Sequence, residues 1–101
     1  MLARRLRLNR GDYNQPVHFV YIVRCADGTL YTGYARDPVM RERAHNSGRG
    51  AKYTSGRRPV QLIYKEAFRS LGKAPAREYA VKQLTRAQKE ALVAAGTRRG
   101  G

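Results

Sequence analysis

Two tyrosines, an arginine and a histidine follow one another at short intervals in the first half of the chain, as Tyr21, Tyr31, Arg41 and His45. A phenol and an imidazole can hold or move a proton. A guanidinium can bind a phosphate through two parallel hydrogen bonds and offset negative charge that develops on it. These side chains therefore suit phosphodiester hydrolysis. On spacing alone, the alternative is that Arg41 and His45, four residues apart, form a solvated basic face of one helix.

One carboxylate falls in an inward position. Glu78 shares an apolar helix stripe with Ala74, Val81 and Leu84, whereas the other acidic residues fall in the N-terminal arm, at turns or caps, past a strand or on charged helix faces. A carboxylate so placed pairs with a cationic side chain or holds a metal ion. Because a single carboxylate with several waters is an ordinary Mg²⁺ arrangement, both interpretations stay open.

A basic loop follows the predicted first helix. Tyr53 lies in it and could stack on a base or a sugar. Four cationic residues surround this tyrosine and are suited to gripping phosphates without reading sequence; they are Arg49, Lys52, Arg57 and Arg58. The alternative is a flexible solvated loop.

The charge of the whole chain agrees with a polyanionic partner. Lys and Arg number 21 against 7 Asp and Glu, which gives a net charge of +14. We expect nucleic acid rather than a membrane, because no apolar run approaches the ~20 residues of a spanning helix. The alternative is a protein that is merely basic. Cys25 is the single cysteine, which excludes a disulfide within the chain and agrees with a cytoplasmic location.

The elements that must position these residues predict an α+β fold. We expect a disordered basic arm over 1–16, one domain over 17–96 and a disordered tail over 97–101. Asp37 and Pro38 predict a helix start, and Thr85 with Gln88 predicts a capping box. The predicted strands are 18–25, 29–34 and 60–64, and the predicted helices are 38–46, 72–83 and 86–96.

The turn around Asp27 and Gly28 decides whether the two tyrosines meet. A two-residue turn pairs Tyr21 with Tyr34 and places Tyr31 on the opposite face. A three-residue loop with a bulge at Gly28 pairs Tyr21 with Gly33, so that Tyr21 and Tyr31 share a face. A shared site needs the second register.

Three other tyrosines, Tyr34, Tyr64 and Tyr79, are expected in the core. The third strand is predicted to bury Val60, Leu62 and Tyr64 on one face, with Glu66 beyond its end.

Read in order, these residues resemble the GIY-YIG nuclease domain, and within it the small standalone bacterial proteins. The resemblance covers residues 18–93 and implies a three-stranded antiparallel sheet flanked by helices. Tyr21 and Tyr31 correspond to the two motif tyrosines, and Gly33 to the glycine of the second motif, where the chain passes tightly. Phe19 and Thr32 depart from the glycine and the isoleucine after which the family is named.

The resemblance implies one-metal hydrolysis of a phosphodiester. Arg41 corresponds to the arginine that contacts the scissile phosphate, and Glu78 to the carboxylate that holds one divalent ion, Mg²⁺ or alternatively Mn²⁺. Tyr21 would orient or deprotonate the attacking water with help from Arg41 and the ion, because a free phenol has a pKa of about 10. Tyr31 and His45 would position water and phosphate.

Three functions follow. The first is a structure-selective or nonspecific DNA endonuclease in repair or recombination. The second is a nucleic-acid-binding module with the same fold, motivated by a charge of +9 over residues 17–96 and by the absence of any asparagine after Asn46, where many active relatives have one. The third is an RNA-binding accessory protein.

Overall fold

A four-stranded sheet with helices around it forms the protein in the computed structural model, which describes residues 18–69, 72–96 and 98–99. The N-terminal arm expected over 1–16 lies outside the described residues. In chain order the elements are β1 His18–Arg24, β2 Leu30–Ala35, α1 Pro38–Asn46, α2 Lys52–Ser55, β3 Gln61–Phe68, α3 Lys73–Lys82, α4 Arg86–Ala95 and β4 Arg98–Arg99.

The three long strands form the predicted antiparallel sheet, with β1 in the centre and the order β2-β1-β3-β4. The β1–β2 hairpin takes the three-residue loop. Tyr21 pairs with Gly33 and Val23 with Tyr31, and Gly28 has a φ of 85°, a left-handed value that favours glycine. The register that places the two tyrosines on one face is therefore confirmed.

Strand β1 is buried on both faces, because its β-branched and aromatic residues alternate between two apolar clusters. Val20 and Ile22 face one cluster, which includes Tyr64, Phe68 and the α3 residues Ala74 and Val81. Tyr21 and Val23 face the other cluster with Cys25, Ala35 and Val60. The second cluster supports the side of the sheet on which the candidate site lies.

The helix ends follow their predicted caps. The side chain of Asp37 accepts a hydrogen bond from Met40 N at the start of α1, and Pro38 occupies the first turn. Thr85 and Gln88 form a reciprocal capping box at the start of α4. No helix among the described residues is long and apolar enough to cross a membrane.

Strand β3 differs from its prediction. It runs to Phe68, four residues further than expected, and its pairing with β1 shifts register between Ile22 and Val23. Because of this irregularity, Leu62 and Tyr64 pack into opposite clusters. The prediction of a shared face is confirmed for Val60 and Leu62 and was wrong for Tyr64.

Two further expectations were wrong. Tyr79 is 69% exposed and therefore not a core residue, because it lies on the outer face of α3. In the tail that we expected to lack structure, Arg98 and Arg99 form a two-residue strand that pairs in parallel with Glu66 and Ala67 of β3.

Candidate active site

The hairpin places Tyr21 beneath the second motif. Tyr21 is 1% exposed, and its ring lies against Gly33 on the neighbouring strand. A Cβ at Gly33 would overlap the phenol, approaching Tyr21 Cε2 to 2.9 Å. Glycine is thus required opposite Tyr21 because the aromatic ring fills the space of the missing side chain.

Helix α1 brings His45 to the same phenol. The hydroxyl of Tyr21 lies 2.8 Å from His45 Nε2, and His45 is 1% exposed. The ring of Tyr31 meets the His45 imidazole edge-on, with centroids 5.4 Å apart. Three of the predicted site residues are therefore in direct contact, although they come from β1, β2 and α1.

The short helix α2 fixes the orientation of the imidazole. The hydroxyl of Thr54, in α2, donates its only hydrogen to the carbonyl of Ala51 at 2.8 Å, and the same oxygen lies 2.8 Å from His45 Nδ1. Thr54 must therefore accept from Nδ1–H. Nε2 is then the acceptor of the neutral ring, and the Tyr21 hydroxyl donates to it.

Gly50 completes this arrangement by leaving room for the histidine. A Cβ at Gly50 would overlap His45 Nδ1 and would approach its Cα and Cγ to 2.7 Å. The loop backbone therefore packs directly against the ring.

Burial and neighbouring charges shift both titrating groups toward their neutral forms. Burial raises the pKa of Tyr21 to about 12, with Tyr31 and, more weakly, Glu78 adding to the rise; the charge and hydrogen bonding of Arg41 oppose it. Burial and the charge of Arg41 lower the pKa of His45 below its ordinary value. A neutral phenol thus faces a neutral imidazole, with Arg41 and Glu78 close enough to affect the phenol.

Glu78 lies at the side of this group on α3. Its side chain is 24% exposed, and Oε2 accepts an ion pair from Lys82 at 3.1 Å, one helical turn away. Because this pair involves one carboxylate oxygen, the second can serve as a ligand. Among the described residues no three His, Cys, Asp or Glu side chains cluster, so the donor set that fits a divalent ion here is one carboxylate with water and substrate oxygens.

The cationic residues of the basic loop form two groups. Two of them bind other parts of the protein, and the other two are exposed. The guanidinium of Arg57 covers the Tyr53 ring at 4.0 Å and hydrogen-bonds Asp27 at 3.0 Å. Arg58 donates to the carbonyls of Ser55 and Asn46. Arg49 and Lys52 are exposed, and neither forms an ion pair within the described part of the chain.

Tyr53 packs against the candidate site, although it lies in the basic loop. Its ring stacks on Tyr31 with centroids 5.7 Å apart and an interplanar angle of 27°. Because Tyr31 in turn contacts His45, a continuous row of rings leads from the buried histidine to the surface, where Tyr53 is 40% exposed.

Sequence reasoning missed Thr54 and Gly50, the two residues that orient His45. A hydroxyl and a glycine in a loop carry no pattern of their own. The available signal was their position in the basic loop that follows the first helix, where the sequence drew attention only to Tyr53 and the cations around it.

Three acidic residues also have roles that sequence reasoning did not assign. Glu66 lies inside β3, is 5% exposed and pairs with Arg77 at 2.9 Å. Glu42 accepts a hydrogen bond from Leu62 N at 2.6 Å. Glu90 binds both terminal nitrogens of Arg24 at 3.1 Å. Each of these carboxylates links a helix to the sheet. The sequence analysis did not predict this role when it set the three residues aside by their positions and selected Glu78.

Comparison with known proteins identifies the family of the chain. Residues 17–91 match the GIY-YIG catalytic domain family. A UPF0213 protein of Halobacterium salinarum is 57% identical over 76 residues, covering 75% of this chain and 99% of that protein. One from Staphylococcus epidermidis is 53% identical over 79 residues, covering 78% and 96%.

Two solution NMR structures show the same fold. A UPF0213 protein from Bacillus halodurans has a TM-score of 0.52 at 50% identity, covering 77% of this chain and 83% of that one. A protein from E. faecalis has a TM-score of 0.56 at 43% identity, covering 80% and 86%. With the two motif tyrosines on one face of a three-stranded antiparallel sheet, the chain belongs to the GIY-YIG family, whose domain is of the nuclease type, beside the small UPF0213 proteins of bacteria and archaea.

Proposed function

We propose that the protein is a metal-dependent endonuclease that hydrolyses phosphodiester bonds in DNA, with a preference for structure or with none, in DNA repair or recombination in the cytoplasm. The observation that carries the proposal is the buried hydrogen bond between Tyr21 and His45, with Arg41 beside it. This arrangement offers a proton path and a phosphate ligand in one place.

Tyr21 acts as a relay rather than as a preformed base. With a pKa of about 12 the phenol is protonated at neutral pH, so it takes a proton from the attacking water only as it gives its own to His45 Nε2. His45 is neutral and becomes imidazolium, while Nδ1–H remains donated to Thr54. The proton lost by the attacking water thus ends on His45, and the hydroxide generated attacks phosphorus as the P–O bond to the leaving oxygen breaks. The leaving oxygen keeps the electron pair of that bond and takes a proton from solvent.

The remaining residues act on the phosphate. Arg41 offsets the negative charge of the transition state, and Tyr31 holds the imidazole edge in place. Glu78 would hold the divalent ion, Mg²⁺ or Mn²⁺, which when bound stabilises charge on the phosphate and leaving oxygens. The exposed Arg49 and Lys52 bind flanking phosphates.

A nicking assay on supercoiled plasmid and branched DNA with Mg²⁺ tests the proposal. We expect Tyr21→Phe and Glu78→Gln each to lower the rate by about 10²-fold or more. The matched control is Tyr79→Phe, on an exposed phenol of the same helix as Glu78, which should retain activity. Full activity in Glu78→Gln would exclude Glu78 as the metal ligand, and equal rates on RNA would remove the preference for DNA.

The second candidate function is a binding module without turnover. The ion pair between Glu78 and Lys82 favours it, because it already satisfies one oxygen of the proposed metal ligand. This candidate predicts salt-sensitive nucleic-acid binding with no cleavage under any divalent ion, and Lys82→Gln would not restore cleavage.

A further inference from the structure

A cleft beside the row of rings has no assigned role. It has a volume of about 220 Å³ and lies between the end of the hairpin and the start of α4. Thr29, Leu30, Tyr53, Leu84, Arg86 and Lys89 line it. Its wall is shared with the candidate active site, because Tyr53 also stacks on Tyr31.

The chemistry of the cleft combines an apolar wall with a cationic rim, in which Arg86 is paired with Glu90 at 3.2 Å and Lys89 is the unpaired cation among the described residues. Leu30 and Leu84 are half-buried against the core. Lys89 is also half-buried, yet it forms no ion pair within residues 18–69, 72–96 and 98–99. Burial and the charge of nearby Lys82 lower the pKa of Lys89. An anion at the rim would relieve this repulsion, and a flat apolar ring would cover the wall.

We propose that this cleft holds one unpaired base of the substrate strand, next to the nucleotide whose phosphodiester is cleaved, with its phosphate bound by Lys89 and Arg86. The base packs against Leu30, Leu84 and the edge of Tyr53. This inference rests on the proposed nuclease function and specifies its substrate, a nucleic acid with an unpaired nucleotide such as a flap or a single strand.

An unpaired base is required because of how a duplex presents its bases. In a continuous duplex both faces of each base are stacked, and a base reaches a pocket only after unstacking, which costs a few kcal/mol and least where the base is already single-stranded. The cleft is also smaller than the ~300–1,000 Å³ of pockets for drug-sized ligands. It therefore suits a single ring system and favours branched or single-stranded nucleic acid.

Binding measured by fluorescence anisotropy in EDTA, where no cleavage occurs, tests this without relying on turnover. The probes are a labelled flap, a single strand and a continuous duplex. Lys89→Gln should weaken flap and single-strand binding by about fivefold or more. The matched control is Lys73→Gln, which makes the same charge change on an exposed residue of α3 outside the cleft and should lower binding of all three probes equally and only slightly.

A second measurement detects the base itself. The chain has no tryptophan, so 2-aminopurine in the unpaired position can be excited selectively, and its fluorescence should change on binding in the wild type and in Lys73→Gln but much less in Lys89→Gln. Equal effects of the two lysine variants on all probes would overturn the cleft proposal alone. Competition by micromolar AMP would overturn it in favour of a free-nucleotide site. Absence of any nucleic-acid binding would also overturn the proposed function.

Discussion

His45 is constrained from every side of its ring. Tyr21 donates to Nε2, Thr54 accepts from Nδ1, Tyr31 meets the ring at its edge, and Gly50 leaves the space in which it lies. Replacing His45 by a residue with no acceptor at this position removes the acceptor of the buried Tyr21 hydroxyl, at a cost of about 1–3 kcal/mol. Its neutral form is the one the fold stabilises.

The stability of the protein should therefore depend on pH through His45. Its pKa in the folded state lies below the ordinary value of about 6.5, so the unfolded chain takes up the proton first as the pH falls. The stabilisation is fully present above pH 6.5 and is lost as the pH drops toward the folded pKa. Urea unfolding of the wild type from pH 7.5 to 5 should show this decline.

The control for the pH experiment is His45→Gln. This variant should be less stable at pH 7.5 but should lack the part of the decline that His45 contributes. A wild type and a variant with parallel pH profiles would show that another group is responsible. In the nuclease assay the same titration predicts that the wild-type rate falls on acidification, because protonated His45 cannot accept from Tyr21.

Among the elements, helix α1 contacts the candidate site with one face and the sheet with a neighbouring face. Arg41 and His45 face the phenol, while Asn46 accepts from Val60 N at 2.6 Å and donates to Val60 O at 3.0 Å. Glu42 continues this second face by accepting from Leu62 N. The helix is thus fixed to the start of β3, so that the face with Arg41 and His45 has one position relative to the hairpin.

The basic loop, which includes α2, gives an experiment with an internal control. Gly50→Ala should displace His45, lower stability by about 1–3 kcal/mol and reduce nuclease activity, because the new Cβ overlaps the imidazole. Gly56→Ala, six residues later, meets no atom within 4 Å and has a φ of −94°. It should be neutral or stabilise by up to about 1 kcal/mol. Thermal denaturation of both variants distinguishes a site effect from a general sensitivity of the loop.

Strand β2 contains a buried hydroxyl with no described partner. Thr32 is 3% exposed, and its Oγ1 has no hydrogen-bond partner among residues 18–69, 72–96 and 98–99. Thr32→Val keeps the shape and removes the polar atom, so it should raise stability by about 1 kcal/mol, measured as the urea midpoint.

Thr54→Val is the opposite case on an equally buried threonine, because its hydroxyl has two partners. It should lower the free energy of unfolding by about 1–2 kcal/mol and allow His45 to adopt either neutral tautomer. An NMR measurement of the His45 ring nitrogens would detect the change of tautomer. A destabilised Thr32→Val would show that the Thr32 hydroxyl is satisfied in solution.

At the scale of the whole molecule, the sheet has a separate cluster on each face, and the net charge of the chain is strongly positive. Two of the loop cations are bound to the protein itself, as Arg57 is to Asp27 and Arg58 to Ser55. The total charge therefore overstates the number of cations that a phosphate backbone can reach.

Salt dependence of duplex DNA binding tests which loop cations meet phosphate. Lys52→Gln should reduce the slope of log K against log salt by about 0.9, the value for one phosphate contact. Arg57→Gln should change the slope less, because the Arg57 guanidinium is shared with Asp27 and Tyr53. Equal slopes for the two variants would show that Arg57 leaves its partners on binding.

The sequence by itself determined the hairpin and the three longer helices with their caps, but it did not predict α2, β4 or the full length of β3. Local chemistry controls those features: a capping box at Thr85, a proline after the Asp37 cap and an alternating apolar run in β1 act within a few residues. The register of the β1–β2 hairpin depends on the length of its loop, and the sequence left two lengths open. Only the three-residue loop brings Tyr21 and Tyr31 together.

The tertiary structure alone decided which groups control the histidine and which acidic residues link helices to the sheet. Thr54 meets His45 only because α2 folds back onto α1, and Glu66 meets Arg77 only because α3 packs on β3. Such contacts join residues on different helices and strands and leave no periodic trace in the sequence. Composition and spacing therefore revealed which side chains could perform the chemistry, whereas the proton path among them depends on packing.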